Sequence, residues 1–223
     1  MGLRRLAIAV LASILLSSHA FPQTATAPQE TETPRQTSRP YTGDLSIFES
    51  PDRDKKLQID RVMDLLDIKA GKNVADIGAG SGWFTVRASK RVGVTGAVIA
   101  EDINPLAIES IGKRIAKENL TNIRTVLGKP DDPMLPPGSV DAVLLLKVYH
   151  EIAQPLEFMK NLRPALRQGA KVGIIDRNGD GTNHGLDHQV VEKEMAEAGF
   201  RLSATYDFTK ADGQDYFLIF VVK

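Results

Sequence analysis

The chain has 223 residues, of which 42% are apolar and 25% charged, with 28 basic side chains set against 28 acidic ones and no cysteine. This charge balance favours no polyanionic partner such as nucleic acid, and the polarity excludes a multi-span membrane protein. The absence of cysteine excludes disulfides, thiol nucleophiles and thiolate metal sites, leaving room for one globular domain.

At the N-terminus, Arg4 and Arg5 precede an apolar run from Leu6 to Leu16, and Ser18 and Ala20 supply the small-x-small pattern of a signal-peptidase site. Residues 1–20 therefore read as an export signal with a periplasmic or secreted product; a misassigned start would leave a cytoplasmic chain. The run falls short of the ~20 residues that span a bilayer, so no stable membrane insertion is expected. Residues 21–43 are rich in Pro, Thr, Gln, Glu and Ser and read as a disordered spacer, since they cannot bury enough surface to offset chain entropy. Residues 44–223 form the domain.

Within it, apolar residues at roughly helical spacing predict a lead-in helix from Arg53 to Ile68, with Asp52 as N-cap and Gly71 closing it. Strands are predicted at Asn73 to Ile77, Ala97 to Asp102, Ile123 to Leu127, Val140 to Leu146 and Lys171 to Asp176. Helices are predicted at Trp83 to Val92, Pro105 to Asn119, Pro155 to Arg167 and Leu186 to Ala198. Strands alternating with helices make βαβ units and a parallel sheet. Two further strands, Phe200 to Phe208 and Tyr216 to Val222, have only a short turn between them, so one of them runs antiparallel.

The segment Val74-Ala75-Asp76-Ile77-Gly78-Ala79-Gly80-Ser81-Gly82-Trp83 carries the most information. A strand that runs into closely spaced glycines and then a helix brings bare backbone up to a ligand. The spacing is G-x-G-x-G, which differs from the G-x-G-x-x-G of dinucleotide binders, and Asp76 stands two positions before the first glycine. A carboxylate there repels a pyrophosphate and attracts a cationic ligand such as a sulfonium amino acid. Asp102 follows Gly82 at the end of the second strand, at the distance where a carboxylate meets a ribose diol, with Glu101 as the alternative. After the third strand, Asp131 or Asp132 is placed to accept from an adenine amino group.

These motifs, together with Pro105 and the run Ser139-Val140-Asp141-Ala142-Val143, resemble those of the class I S-adenosylmethionine-dependent methyltransferases over about residues 52–223. The resemblance implies a Rossmann-like three-layer αβα sandwich whose seven-stranded, mostly parallel sheet ends in an antiparallel C-terminal strand. It implies S-adenosylmethionine as cofactor, with Asp76, Gly78, Gly80 and Gly82 at its methionine end, Asp102 at the ribose, and Asp131 and Asp132 beside the adenine. Ile103 and Lys147 complete the expected cofactor-lining set.

The methyl acceptor, a small molecule by expectation, belongs at the carboxyl end of the fourth strand, where Lys147-Val148-Tyr149-His150-Glu151 follows. His150 is the candidate base, with Tyr149 or Glu151 to position it; capping or packing is the competing role for His150. Asp176, Asn178, Asp180, Gly181, Thr182, His184 and Asp187 fall at calcium-loop positions, but Asn183 and Asp187 break that pattern and the preceding strand denies it a flanking helix. The stretch reads as a polar active-site loop, and no metal site is assigned. The alternatives are an exported methyltransferase-like binding module without catalysis and, against the glycine spacing, a nicotinamide-dependent oxidoreductase.

Overall fold

The structure, a computed structural model, describes residues 34–37 and 43–223. The expected export signal and most of the spacer lie outside the described residues. Residues 34–37, expected within the spacer, pack on the domain: Arg35 donates to the Glu194 carboxylate at 2.8 and 2.9 Å, and its backbone N–H donates to the Ala153 carbonyl.

Seven strands form one sheet in the order β3-β2-β1-β4-β5-β7-β6. They are β1 (Asn73–Ile77), β2 (Ala97–Asp102), β3 (Ile123–Leu127), β4 (Val140–Leu146), β5 (Leu166–Asp176), β6 (Phe200–Tyr206) and β7 (Tyr216–Val222). The first five are mutually parallel, and β7 is antiparallel to both of its neighbours, β5 and β6. The expected Rossmann-like architecture is therefore present, and its antiparallel strand is the C-terminal one.

The helices are α1 (Arg53–Leu57), α2 (Ile59–Leu65), α3 (Trp83–Val92), α4 (Pro105–Glu118), α5 (Pro155–Leu162) and α6 (His188–Glu197). Successive side chains of a strand point to opposite faces, and the core divides accordingly. Ala75, Ile77, Val143, Leu145, Val172 and Ile174 meet Phe158 and Met159 of α5 and Val191 and Met195 of α6. Val74, Val98, Ala142 and Leu144 face the other way, against Leu57, Val62, Met63, Phe84 and Ala88 from α1, α2 and α3. Ala100 and Ile111 extend that side under α4. Because both faces are covered, the central strands read as continuous apolar runs.

Three local expectations are corrected. The lead-in helix breaks at Gln58, whose φ of 52° is left-handed, and Asp52 sits in the same region without a side-chain cap. The second segment ends at Leu65, and Gly71 belongs to the following turn, not to the helix end. The helix expected as far as Arg167 stops at Leu162 before a 3-10 turn over Arg163–Ala165, where Pro164 cannot donate, and Leu166 already belongs to β5. Between β6 and β7 the expected short turn is a 3-10 helix, Phe208–Asp212.

Candidate active site

The chain reverses its build-up of the sheet at β1, which pairs with β2 on one side and β4 on the other. Beyond the carboxyl ends of these strands lies an open cleft of about 960 Å³, near the upper end of the roughly 300–1,000 Å³ usual for ligand pockets. Its position follows from topology, because the loops leaving β1 and β4 diverge there.

The floor is the glycine loop. Gly78, Gly80 and Gly82 all have positive φ, from 55° to 76°. A Cβ on Gly78 would lie 2.5 Å from a Val148 methyl, so the loop approaches the turn after β4 as closely as a bare backbone allows. Gly78 and Gly80 line the cleft, whereas Gly82 begins α3 and backs onto Ile111. Its role is close packing of α3 against α4, not contact with a ligand.

Three carboxyls meet under this loop. Asp102 accepts backbone N–H groups from Gly80 at 2.9 Å and Asn104 at 2.8 Å, one on each oxygen. Burial raises its pKa, partly countered by those two N–H groups. Glu101 is 1% exposed, accepts the Gly78 N–H at 3.3 Å, and has no hydrogen-bond partner at Oε1. A Cβ on Gly128 would fall 1.8 Å from that oxygen, so only glycine at the end of β3 leaves the carboxyl its space. Burial, reinforced by Asp102, Asp76 and Asp132, pushes Glu101 up to about 8. Asp76 accepts from the Thr85 hydroxyl at 2.6 Å and is pushed up to about 7 by burial. All three carboxyls line the cleft.

Ile103, 45% exposed, and Pro130 supply apolar wall near Asp102. Of the segment after β3, Lys129 and Pro130 line the cleft while Asp131 and Asp132 do not. The Asp132 carboxylate turns back to accept the Met134 N–H at 2.7 Å, and the Asp131 carbonyl accepts from Asn161. The Asp132 carboxylate expected beside the adenine is thus occupied with folding its own loop, which the Asp131 backbone also helps to tie down. Lys147 lines the cleft with a left-handed φ of 61°, and burial lowers its pKa.

At the β4 end, a 3-10 turn over Tyr149–Glu151 sends its side chains in different directions. Tyr149 packs in the core with α5 and α6 and lies outside the cleft lining, which corrects the expectation that it positions an acceptor. His150 lines the cleft, with Nδ1 2.7 Å from the buried Asp176 carboxylate. Burial alone would lower its pKa, but the hydrogen bond with Asp176 and the nearby Glu151 carboxylate outweigh this and raise it to about 9. Asp176 is therefore committed to His150, which removes the first ligand of the calcium loop considered from sequence.

Sequence reasoning passed over several lining residues. A 3-10 helix over Leu45–Phe48 brings Leu45, Ile47 and Phe48 to the cleft. Arg53 is 7% exposed, donates to the Phe48 carbonyl at 2.9 Å, lies 3.5 Å from Asp212, and stacks on Trp83 at 4.4 Å. The one available signal was a basic residue at the start of an apolar helix, which is also what an exposed helix end looks like.

A family model described as a methyltransferase domain matches residues 74–169, the stretch from β1 into β5 that carries the carboxyls and His150. Over that stretch, a little under half of its length, the chain is similar to methyltransferase domains. Among curated relatives, nocamycin O-methyltransferase of Saccharothrix syringae is 34% identical over 83 residues, 37% of this chain and 30% of that protein. Demethylmenaquinone methyltransferase of Staphylococcus saprophyticus is 30% identical over 116 residues, 52% of this chain and 49% of that protein. The chain thus spans half or less of the length of these relatives. The methyltransferase fold is shared with a SAM-dependent methyltransferase from Aquifex aeolicus, with a TM-score of 0.73 and 22% identity over 80% of this chain and 97% of that one. It is shared as well with Aeropyrum pernix fibrillarin, solved with S-adenosyl-L-methionine bound, with a TM-score of 0.59 and 16% identity over 87% and 85% of the two chains.

Proposed function

We propose that this chain transfers a methyl group from S-adenosylmethionine to a small-molecule acceptor held beside His150. The observation that carries the reading is Asp102: a carboxylate fixed by two backbone N–H groups, one of them from the glycine loop, at the mouth of a cleft with an apolar wall. Each oxygen keeps acceptor capacity for a vicinal diol after its backbone bond.

The residues present fit the cofactor. Gly78 and Gly80 leave a cradle that side chains would fill, Ile103 and Pro130 can flank a planar base, and the Asp76 and Glu101 carboxyls offer acceptor oxygens whose ionised forms a positively charged ligand would favour. When bound, the cofactor supplies an electrophilic methyl group on a cationic sulfur. The protein's own contribution is alignment, which in a closed site can supply several kcal/mol of the barrier, roughly 7–11 at best. His150, oriented by Asp176 through Nδ1, directs Nε2 to the acceptor end and can hold or move the acceptor's proton there. The names of nocamycin O-methyltransferase and of the aklanonic acid methyltransferase DauC of a Streptomyces species, 33% identical over 84 residues, support a small-molecule acceptor.

The test is isothermal titration of the tag-free chain with S-adenosylmethionine and S-adenosylhomocysteine beside Asp102→Ala. Two lost hydrogen bonds to a charged acceptor predict about 100-fold weaker binding, from roughly 3 kcal/mol in total. Absence of binding by the wild-type chain would overturn the proposal in favour of a methyltransferase-like module without catalysis, and binding of a dinucleotide instead would favour an oxidoreductase.

A further inference from the structure

We propose that His150, Glu151 and His184 form a binding site for a divalent transition-metal ion, zinc by its donor set, with an open coordination position facing the acceptor end of the cleft. The three side chains come from two separate segments, the turn after β4 and the loop after β5, and all three line the same cleft. Each offers one ligand atom, and these atoms lie within 4.8 Å of one another.

The geometry centres on one carboxylate oxygen. Glu151 Oε1 lies 3.7 Å from His150 Nε2 and 3.6 Å from His184 Nδ1. Zinc bonds of roughly 2.0–2.2 Å place tetrahedral ligands about 3.4 Å apart, so the two spans to Glu151 need to shorten by only a few tenths of an ångström, while the two imidazole nitrogens, within 4.8 Å, close by up to about 1.4 Å through rotation of the exposed His184 ring. Two imidazoles and one carboxylate with a fourth position left open is the donor set of catalytic zinc, whereas calcium and magnesium prefer oxygen alone.

Two independent observations point to a ligand. His150 is 2% exposed, and its Nε2 is buried with no hydrogen-bond partner, a costly state that a metal bond would relieve. Its other nitrogen, Nδ1, is bound by the buried Asp176 carboxylate, the outer-shell partner that fixes the tautomer of a metal-ligating histidine. His184, in turn, is set in place by Arg177, whose Nε donates to the His184 carbonyl at 2.8 Å and whose Nη2 donates to the Asn183 carbonyl.

With Nε2 bound to the ion, the ion takes over the role that this nitrogen has toward the acceptor proton in the metal-free chain: the open position would take an acceptor hydroxyl and favour its ionised form; only that assignment of the fourth occupant rests on the methyl-transfer reading. The tag-free full chain, stripped with chelator, is dialysed against zinc sulfate and its metal content measured, alongside titration with S-adenosylhomocysteine. The expected result is one zinc per chain. His184→Ala and Glu151→Gln each weaken zinc binding at least about tenfold, His184→Ala while leaving S-adenosylhomocysteine affinity unchanged, and cobalt in place of zinc gives the visible absorption of a four-coordinate ion. Substoichiometric zinc, or zinc binding undiminished in both variants, overturns the site. Zinc binding without S-adenosylhomocysteine binding would leave the metal site standing and overturn the methyl-transfer reading alone.

Discussion

Replacing Glu101 with glutamine keeps the side chain's shape and removes its charge, and the structure predicts a gain that depends on pH. The carboxyl sits under the glycine loop with Asp102, Asp76 and Asp132 as its charged neighbours, and burial together with them lifts its pKa from 4.5 to about 8. Within that window the folded chain keeps the proton and the unfolded chain has lost it. Stability from this group is therefore complete below pH 4.5 and is lost as pH rises through about 8, at about 1.4 kcal/mol per pH unit. The full window is worth at most about 5 kcal/mol, and structural relaxation around the ionised group reduces this to an expected 2–3 kcal/mol, or about 5–10 °C in Tm for a domain of this size. Thermal melts of wild type and Glu101→Gln from pH 5 to pH 9 measure the difference directly. The two should converge near pH 5, and the variant should melt higher by that amount at pH 9. Parallel profiles across the range would refute the reasoning, because they would mean that Glu101 ionises in the folded chain as easily as in the unfolded one.

Gly78→Ala should lower stability by about 2–3 kcal/mol and abolish S-adenosylhomocysteine binding in calorimetry, since the new methyl would meet Val148 at 2.5 Å on a backbone with φ of 64°. Val148→Ala in the same chain should restore part of the stability. Asp141 accepts from Asn73 N–H and Arg167, both at 2.8 Å, and from Lys72 at 3.3 Å. Asp141→Ala should therefore cost about 1–2 kcal/mol in urea unfolding. Burial opposes ionisation of Asp141, but these partners outweigh it and hold its pKa low, so its contribution is present at neutral pH and lost as pH falls through the folded value. Acid melts of the variant should be correspondingly flatter.

The strands were legible because a sheet covered on both faces writes its central strands as apolar runs, and Val140–Leu146 could hardly be read otherwise. The glycine loop and Asp102 were legible because their spacing is local. Gln58 gave no warning of the break between α1 and α2, since the apolar period continues across it. The start of β5 was hidden because Leu166-Arg167 continues the helical pattern of the residues before it. Glu101 was read only as a substitute for Asp102; its dependence on Gly128 is a contact between the ends of neighbouring strands and leaves no periodic trace. The grouping of His150 with His184 was equally out of reach, because they stand 34 positions apart and only the parallel pairing of β4 with β5 brings the loops after them together.

Trp83 is the single tryptophan of the chain, and its indole is flanked by the Arg53 and Arg87 guanidinium groups at 4.4 and 3.9 Å while lining the cleft. The protein therefore carries its own optical reporter. Its emission, tuned by two adjacent cations, should respond to any ligand that displaces Arg53 or covers the ring, so occupancy of the cleft can be followed by fluorescence without a label or a known acceptor.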